Sequence, residues 1–566
     1  MILSKSSIYL TRSLPLAAAV LFLCTFCVVG QTPTPTPTPG PDYQIPSNEP
    51  LPTQPSFAKP LPPMPDQSRI GVETGTELSL TLQDAIEMAL KNNNDIDASR
   101  QSVHIADFAW RAARGIYDPF VNSQTFYETR TTPTASTIGG AVNGSVTQKQ
   151  VFNDLGVSGF VPKFGGSYDV VFNQARTNTS NRNATLNPQF PTNLVATFTQ
   201  PLWRNRSIDA NRRNIMIAGK NVNISESQLR QRAMDIISTA EQAYWDLYFA
   251  LRNLQVQVDT LKQARDQLES NKRQADKGVL APIDIVQAQA QVSTFEQNVY
   301  AAQETVTRNE NTLKTLLLAD RSSPEWSRPL TPITPAELEV PQLALELATA
   351  EAIKSRPEIE QLEINQDINR IDQKFYRNQT KPQIDLVSSY TSAGLAGTPN
   401  PLSSGSASVP DLLRGGYTRS ITNLLQNQFP TYRAGIQIGF PIFNRTAKAN
   451  LGSSIVRGQQ LENNRAQAEL NIEAEVRNSL QALRSAESRL RAATDGREAA
   501  EQIYESEQRQ FRGGLTTYFL VLQRQTELAT ARGREVQART DLNKAISEFN
   551  RSIGRTLAAN SVEVSK

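Results

Sequence analysis

The sequence is poor in the residues that usually carry chemistry in proteins. Its 566 residues include two cysteines and one histidine, His104, which falls in a helix-like segment where a packing or surface role is expected. We find no glycine-rich phosphate-binding loop and no cluster of metal ligands. The sequence therefore predicts no enzyme activity, no cofactor and no metal site.

Neither cysteine belongs to the part of the chain that is expected to fold. Cys24 and Cys27 lie in an apolar run at 14–30, which follows two basic residues and is too short for a comfortable membrane span. Such a run is typical of a secretory signal peptide, here residues 1–30. The exported chain would then contain no cysteine and no disulfide. A retained N-terminal anchor helix is the alternative interpretation.

Long apolar runs and a surplus of one charge are missing from the rest of the chain. No later stretch reaches the ~18 apolar residues that a membrane-spanning helix needs, so a membrane span would have to be a closed β-barrel. The 58 Lys and Arg residues nearly balance the 55 Asp and Glu residues. Because a protein that binds nucleic acid usually carries a clear basic surplus, we expect no nucleic-acid partner.

Proline is unevenly distributed along the chain. Residues 32–65 contain 13 of the 33 prolines, beginning with "TPTPTPTPGP". This composition favours extended polyproline II and cannot pack a core, so we predict a disordered or semi-rigid tether at 31–76. By contrast, there is no proline at 205–277 or from Arg445 onward, and these stretches are predicted to form long helices.

The remaining sequence is an internal repeat. Two pairs of similar segments carry it: "ALKNNNDI" at 89–96 with "AIKSRPEI" at 352–359, and "GVLAPIDIVQAQ" at 278–289 with "GLTTYFLVLQRQ" at 514–525. The predicted boundaries are repeat 1 at 77–320, a proline-containing linker at 321–342, repeat 2 at 343–556 and a tail at 557–566. Repeat 1 is longer because it carries roughly twenty extra residues between 132 and 190.

Each repeat is predicted to contain a first helix, two strands, a long helix and a return helix. The first helix is expected to begin after the capping residue Thr81. In "AGIQIGF" at 434–440, apolar residues alternate with glycine and glutamine, which is typical of a strand with two unlike faces. A strand in a soluble sheet would show the same alternation. The extra segment is expected to add a hairpin at 156–174, either in extracellular loops or at the strand rims.

The long helices are expected to form coiled coils. Between residues 237 and 261, apolar and small residues recur at alternating steps of three and four, which is a heptad seam. A helix over 205–277 would span roughly 100 Å. Each long helix is predicted to turn back at glycine, near Gly278 and near Gly514. Because such rods exceed a compact domain, a secreted periplasmic coiled-coil scaffold without a pore is one interpretation.

The predicted strands argue against that scaffold. The prolines that stand where a strand meets a helix are Pro119, Pro201, Pro382 and Pro441. Proline cannot donate to a ladder, and its fixed φ suits the first turn of a helix. Two strands per repeat give four per chain, which is too few to close a barrel, and open edges are not tolerated in lipid. We therefore expect a mixed membrane α+β fold, in which three chains pool twelve strands in a β-barrel that continues into a helical barrel.

The chain resembles the TolC family of outer-membrane efflux proteins. The similarity lies in an ordered, duplicated set of segments: "LTLQDAIEMALKNNNDI", "TFTQPLW", "AYWDLYFA", "ADKGVLAPIDIVQAQAQ", "KPQIDLVSSY", "GIQIGFPIF" and "FRGGLTTYFLVLQRQ". The resemblance implies a homotrimer with a twelve-stranded barrel in outer-membrane lipid and a helical tunnel in the periplasm. It also implies a periplasmic adaptor and an inner-membrane pump as partners. The chain would then be the passive exit duct of a tripartite efflux or type I secretion system in a Gram-negative-type cell.

The resemblance also assigns two sites by position. The tips that meet the adaptor correspond to Gly278, Val279, Leu280, Gly513, Gly514 and Leu515. At the periplasmic aperture, Asp284 matches the acidic partner of a family ion pair, but the basic position holds Thr516 and the acidic-ring positions hold Leu520 and Gln523. An apolar constriction at Leu520, with Tyr518 and Phe519, is one hypothesis. In the alternative, the apolar residues pack helices and Asp284 is a solvated charge at a helix start. The transported substrate is not indicated.

Overall fold

The computed structural model describes residues 63–66, 68–73, 77–135, 137–141, 143–278, 280–401, 403 and 408–563. All of them belong to one compact unit, Leu61–Lys566. The predicted signal peptide, most of the predicted tether and Val279 lie outside the described residues.

Among the described residues, repeat 2 repeats the helix order of repeat 1 and adds two short helices. Those of repeat 1 are α1 (Leu82–Asn92), α2 (Asn94–Arg114), α3 (Ala210–Asp276) and α4 (Pro282–Leu317). Those of repeat 2 are α5 (Leu345–Ser355), α6 (Pro357–Gln379), α7 (Tyr417–Leu425), α8 (Arg445–Arg512), α9 (Tyr518–Ser552) and α10 (Thr556–Ala559). Thr81 caps α1 as predicted: its hydroxyl accepts from the Asp84 N–H at 3.0 Å, and the Asp84 carboxylate accepts from the Thr81 N–H at 3.2 Å.

The long helices α3 and α8 contain 67 and 68 residues, and each packs along its return helix, α4 or α9. The predicted heptad seam is the buried side of α3: Ile237, Ala240, Tyr244 and Leu247 are fully buried. Ala240, Tyr244 and Leu247 join the core that α1 and α4 complete. At 1.5 Å per residue, each long helix spans about 100 Å, which is the length that the proline-free stretches predicted.

The predicted linker at 321–342 is packed against the helices. It contains β6 (Leu330–Pro332), which pairs in parallel with β1 (Leu78–Leu80) at the start of repeat 1. The buried Tyr244 hydroxyl holds this junction, because it donates to the Leu80 carbonyl at 3.0 Å and accepts from the Thr334 N–H at 3.1 Å. The two repeats are therefore joined by hydrogen bonds as well as by the chain.

The described end of the predicted tether is also attached to the helices. The Pro63 carbonyl accepts from the Arg265 guanidinium at 3.1 Å, and the Ser68 carbonyl accepts from the Gln303 amide at 2.8 Å. Arg69 pairs with Glu310, which is buried beside Lys314. The expectation of a disordered or semi-rigid tether is therefore wrong for these residues, because their carbonyls and charges find partners along α3 and α4.

The tail after repeat 2 is packed as far as Asn560. The Asn560 amide donates to the Glu241 carboxylate at 2.9 Å, and the Ser547 hydroxyl donates to the same carboxylate. Glu241 is nearly fully buried, and burial raises its pKa above the usual range, although both hydrogen bonds oppose the shift. The C-terminal residues thus cover a buried acid on α3.

All the long strands in the described part of the chain lie in one antiparallel sheet. In chain order they are β2 (Phe120–Pro133), β3 (Ser145–Phe160), β4 (Ser167–Thr179), β5 (Leu186–Pro201), β7 (Gln383–Pro399) and β8 (Phe429–Gly439). Their order in the sheet is the same as their order in the chain. The strands of the two repeats meet where β5 pairs with β7.

The expected count of four strands per chain is wrong for this sheet, which contains six. The four expected strands correspond to β2, β5, β7 and β8, while β3 and β4 come from the extra segment of repeat 1. That segment does form a hairpin, but the hairpin lies inside the ladder between β2 and β5. The physical reason is that the apolar side chains of both strands, such as Leu155 and Val170, fall on the same face as those of the neighbouring strands, so that the hairpin fits within the ladder.

The four junction prolines lie at the ends of strands that face the helices. Pro119 and Pro382 immediately precede β2 and β7, Pro201 is the last residue of β5, and Pro441 follows β8. The expectation that proline begins the next helix is wrong, since α3 begins at Ala210 and α8 at Arg445. Asp209 caps α3 by accepting from the Arg212 N–H at 2.8 Å. Proline therefore ends or precedes a ladder here, and other residues begin the helices.

Candidate functional site

The sheet has one apolar and one polar face. The register places Phe120, Ser158, Asp169, Thr197, Ser389 and Arg433 in one row across the six strands. Side chains in one row point to the same face, and alternate rows point to opposite faces. The register therefore assigns every strand residue to a face.

The apolar face carries branched and aromatic side chains from all six strands. It includes Val121, Val151, Leu155, Val157, Val170, Phe172, Leu194, Phe198, Ile384, Leu386, Ile436 and Ile438. Several of them are open to the surroundings of the isolated chain: Leu155 is 48% exposed and Ile438 65% exposed. On β3 the apolar residues give way to Lys149 and Thr147 toward the end that is distal from the helices. This is the alternation of a strand with lipid on one side.

The opposite face is polar. It includes Asn122, Gln124, Glu128, Gln148, Gln150, Asp154, Asn173, Asn193, Thr197, Asp385, Ser389, Arg433 and Gln437. Some apolar side chains also lie on this face, among them Phe120, Val171 and the pair Phe126 and Phe152, whose rings stack with centroids 4.7 Å apart. A face of this composition suits contact with water, as in the lumen of a membrane barrel.

Both edges of the sheet are open in the single chain. Every residue of β2 and of β8 is exposed, and each strand has a neighbour on one side only. Each edge therefore presents a row of unpaired backbone N–H and C=O groups. In lipid such groups must find partners.

Sequence reasoning missed the short helix α7, which packs on the apolar face near the distal end of β5 and β7. The Ser392 hydroxyl donates to the Leu424 carbonyl at 2.7 Å, and the hydroxyls of Thr192 and Ser420 lie 2.9 Å apart. Gly394 allows this contact, because a Cβ atom there would lie 2.1 Å from the Ser420 carbonyl oxygen. The available signal was the run "YTRSITNLL", whose apolar residues recur at helical spacing.

The helical tips lie at the far end of the long helices from the sheet. Gly278 and Gly514 both have φ of +73°, the left-handed conformation that ends a helix most readily at glycine. Leu515 is 82% exposed, Leu280 is half-buried, and Gly513 caps α8. Among their described residues, the tips thus present backbone and the exposed apolar side chain of Leu515.

The residues proposed for the aperture do not form a single cluster. Asp284 lies in the first turn of α4, the Thr516 hydroxyl donates to Glu507, and the exposed Gln523 amide donates to Glu527 at 3.0 Å. Tyr518 is buried against Phe511, with ring centroids 5.8 Å apart. Burial raises the pKa of Tyr518, and the nearby charge of Asp284 adds to the shift. Tyr518 therefore packs against neighbouring helices.

The exposed apolar side chain at the start of α9 is Phe519. It is 63% exposed, whereas Leu520 is half-buried. Phe519 lines a groove between α4, α8 and α9 together with Leu522 and Gln523. Glu507, which accepts a hydrogen bond from the Thr516 hydroxyl, had no recognisable sequence signal, because the contact joins different turns of the chain.

Among the described residues, no helix is both long enough and apolar enough to cross a membrane. No group of three or more His, Cys, Asp or Glu side chains in these residues is placed to hold a metal ion.

A long periplasmic helical hairpin joined to a two-faced sheet defines a channel protein of the outer membrane. The chain belongs to the outer membrane efflux protein family, whose model matches residues 85–317 and 348–555. The two matched segments correspond to the two repeats. The chain is therefore an outer-membrane channel of tripartite efflux systems, with a periplasmic helical extension. This family is not an enzyme family.

Solved channel structures share the fold. The outer-membrane channel OprN is 17% identical, with a TM-score of 0.58 over 88% of this chain and 99% of that one. CmeC from Campylobacter jejuni is 14% identical, with a TM-score of 0.58 over 84% of this chain and 86% of that one. MtrE from Neisseria gonorrhoeae, in an open state, is 16% identical, with a TM-score of 0.55 over 84% and 89%. Among curated protein sequences no match is found.

Proposed function

We propose that three copies of this chain assemble into a closed β-barrel in outer-membrane lipid and a helical tube in the periplasm. The observation that carries the proposal is the two-faced sheet with both edges open. One chain cannot satisfy its own edge groups in lipid, whereas copies placed side by side satisfy all of them. The apolar face would then meet lipid and the polar face a water-filled lumen.

The assembly would be a passive exit duct, with a periplasmic adaptor docked on the helical tips and an inner-membrane pump supplying the energy. Leu515 and the left-handed turns at Gly278 and Gly514 support this placement, since they expose apolar surface and backbone at the end that is farthest from the sheet. Service in a type I secretion system is the related alternative, and it would use the same tips.

The periplasmic aperture would close through apolar contacts. Asp284 has no basic counterpart at Thr516, which pairs with Glu507 instead. Phe519 and Leu520 supply the apolar surface at the start of α9, and three copies would bring three such pairs around one axis. A narrow apolar constriction resists wetting and so blocks ions.

Membrane fractionation and mass measurement test the proposal. We expect the protein in the outer-membrane fraction, with a detergent-corrected mass of three chains and a band on denaturing gels that shifts on heating. A secreted coiled-coil scaffold would instead be water-soluble. A stable monomer in detergent would overturn the proposed assembly.

A further inference from the structure

We propose that each chain contributes all six long strands to the membrane wall, so that three chains form an eighteen-stranded barrel in which β8 of one copy pairs with β2 of the next. This inference rests on the three-chain assembly proposed above and specifies its geometry. The partner at each open edge is a second copy of this chain.

The inserted hairpin has the properties of wall strands. β3 and β4 are paired on both sides along most of their length. They also continue the apolar face, with Val151, Leu155, Val170 and Phe172. A hairpin folded away into a loop would need neither property, since no lipid would contact it.

The direction of the edge strands suits pairing between copies. The six strands are antiparallel neighbours throughout, so β2 and β8 run in opposite directions. When all copies are inserted in the same orientation, β8 and the neighbouring β2 are therefore antiparallel, and the ladder continues without a break.

The two faces restrict the register of this pairing. A slip by one residue would move every apolar side chain of the neighbouring copy to the polar face, so only even offsets are allowed. Within one chain, the row that contains Phe120, the first residue of β2, also contains Ser389 of β7. The pairing of β7 with β8 continues six residues beyond that row toward the helices, to Gln383 and Gly439, and this difference is the stagger of the sheet. If β2 of the next copy begins pairing at this last position of β8, Phe120 of the next copy lies opposite Gly439.

This register brings compatible side chains together at the boundary between copies. It places Tyr127 opposite Tyr432 on the apolar face, where Tyr432 already contacts Tyr390 with ring centroids 5.3 Å apart. It places Gly439 and Gly435, which have open space at their Cβ positions, opposite Phe120 and Gln124. At these two positions, a bulky side chain of one copy therefore faces a glycine of the next.

The stagger also gives a barrel of ordinary geometry. Six residues of stagger over six strand spacings correspond to a strand tilt of about 35°, which falls in the range of closed barrels. An eighteen-stranded barrel with this stagger has a backbone-to-backbone diameter of about 34 Å. A twelve-stranded barrel with the same stagger per chain has a diameter of about 26 Å. The inserted hairpin therefore widens the lumen.

Cross-linking tests the pairing. The predicted mature chain has no cysteine, so thiols can be placed freely. Ser123→Cys with Ile436→Cys places the two thiols opposite each other on the apolar face of neighbouring copies, and oxidation should yield covalent dimers and trimers. The matched control, Gln124→Cys with Ile436→Cys, places the thiols on opposite faces and should cross-link at least tenfold less. Equal cross-linking of both pairs, or none in a trimer, would overturn the proposed register.

A distance measurement tests the number of strands. A spin label at Ser388→Cys would report the separation of three equivalent points on the outer face. Removing residues 137–183 deletes the hairpin and leaves five residues to join β2 directly to β5. With this connection, Phe120 and Thr197 still lie on the polar face of the sheet. We expect the distance between the residue 388 backbones of two copies to fall from about 29 Å in the full-length protein to about 23 Å in the deletion variant.

The possible failures are distinguishable. An unchanged separation, in a variant that is still trimeric, would show that β3 and β4 lie outside the wall and would overturn the eighteen-stranded barrel alone. A monomer in detergent would overturn the proposed function itself. If the deletion variant does not fold, the distance measured in the full-length protein still tests the number of strands. A value near 23 Å would contradict an eighteen-stranded barrel.

Discussion

At the scale of single residues, the buried acid Glu241 should make stability depend on pH. Its folded-state pKa is raised above the ordinary value of 4.5 by burial. The cost of burying its charge is therefore fully present above the folded-state pKa and disappears as the pH falls below 4.5. Lowering the pH from 7 to 5 should raise the midpoint of thermal unfolding through this residue.

Glu241→Gln should reduce that rise, because the amide has no charge to bury. The matched control is Glu269→Gln, which removes an exposed acid from the same helix. If both variants retain the full dependence on pH, Glu241 is not its source.

The second prediction at this scale concerns single side chains at the periplasmic aperture. Phe519→Ser should increase single-channel conductance more than Leu520→Ser, because Phe519 is the more exposed of the two. Ile503→Ser, which removes an exposed apolar residue of α8, is the control and should leave conductance unchanged. No increase for either aperture variant would contradict an apolar gate.

At the scale of elements, the turn between α8 and α9 should carry adaptor binding. Leu515→Glu places a charge on the exposed tip and should weaken copurification of the cognate adaptor by roughly tenfold or more, the effect of losing about 1.4 kcal/mol of binding. Leu425→Glu is the control, since Leu425 is 76% exposed but lies at the distal end of the sheet. If Leu515→Glu binds the adaptor normally, docking does not depend on this tip.

The attachment of α7 makes another prediction at this scale. Gly394→Val would drive a side chain into the Ser420 carbonyl, and overpacking of this kind costs about 1–3 kcal/mol. We expect α7 to detach and the segment between β7 and β8 to become sensitive to protease, while the oligomer survives. Val at Gly496, which has open space around it, is the matched control. Unchanged protease resistance in Gly394→Val would mean that the contact is not needed.

Which elements could be predicted depended on the range of the forces that form them. The seam of α3 was visible because packing between neighbouring helices repeats every seven residues. The capping residue Thr81 was visible because capping is local. α7 was not, because a nine-residue helix is stable only through contacts such as Ser392 with Leu424 that the chain makes far from it in sequence.

At the scale of the whole molecule, the repeat, the long helices and the position of the sheet could be predicted, but the number of strands could not. Alternation at 156–174 predicted the hairpin, yet alternation alone does not say which strands pair with it. The register that unites β2 to β8 in one sheet required the structure. The tips and the aperture were assigned by resemblance, and the physical interactions there, such as Thr516 with Glu507, depend on tertiary contacts.

The position of the inserted hairpin has a consequence for how such chains diverge. Because an added hairpin leaves and returns at the same end of the sheet, strands can be gained or lost in pairs while the chain still re-enters the helices at the same place. In the proposed assembly, the width of the barrel can therefore change without any change in the helical tips at its other end.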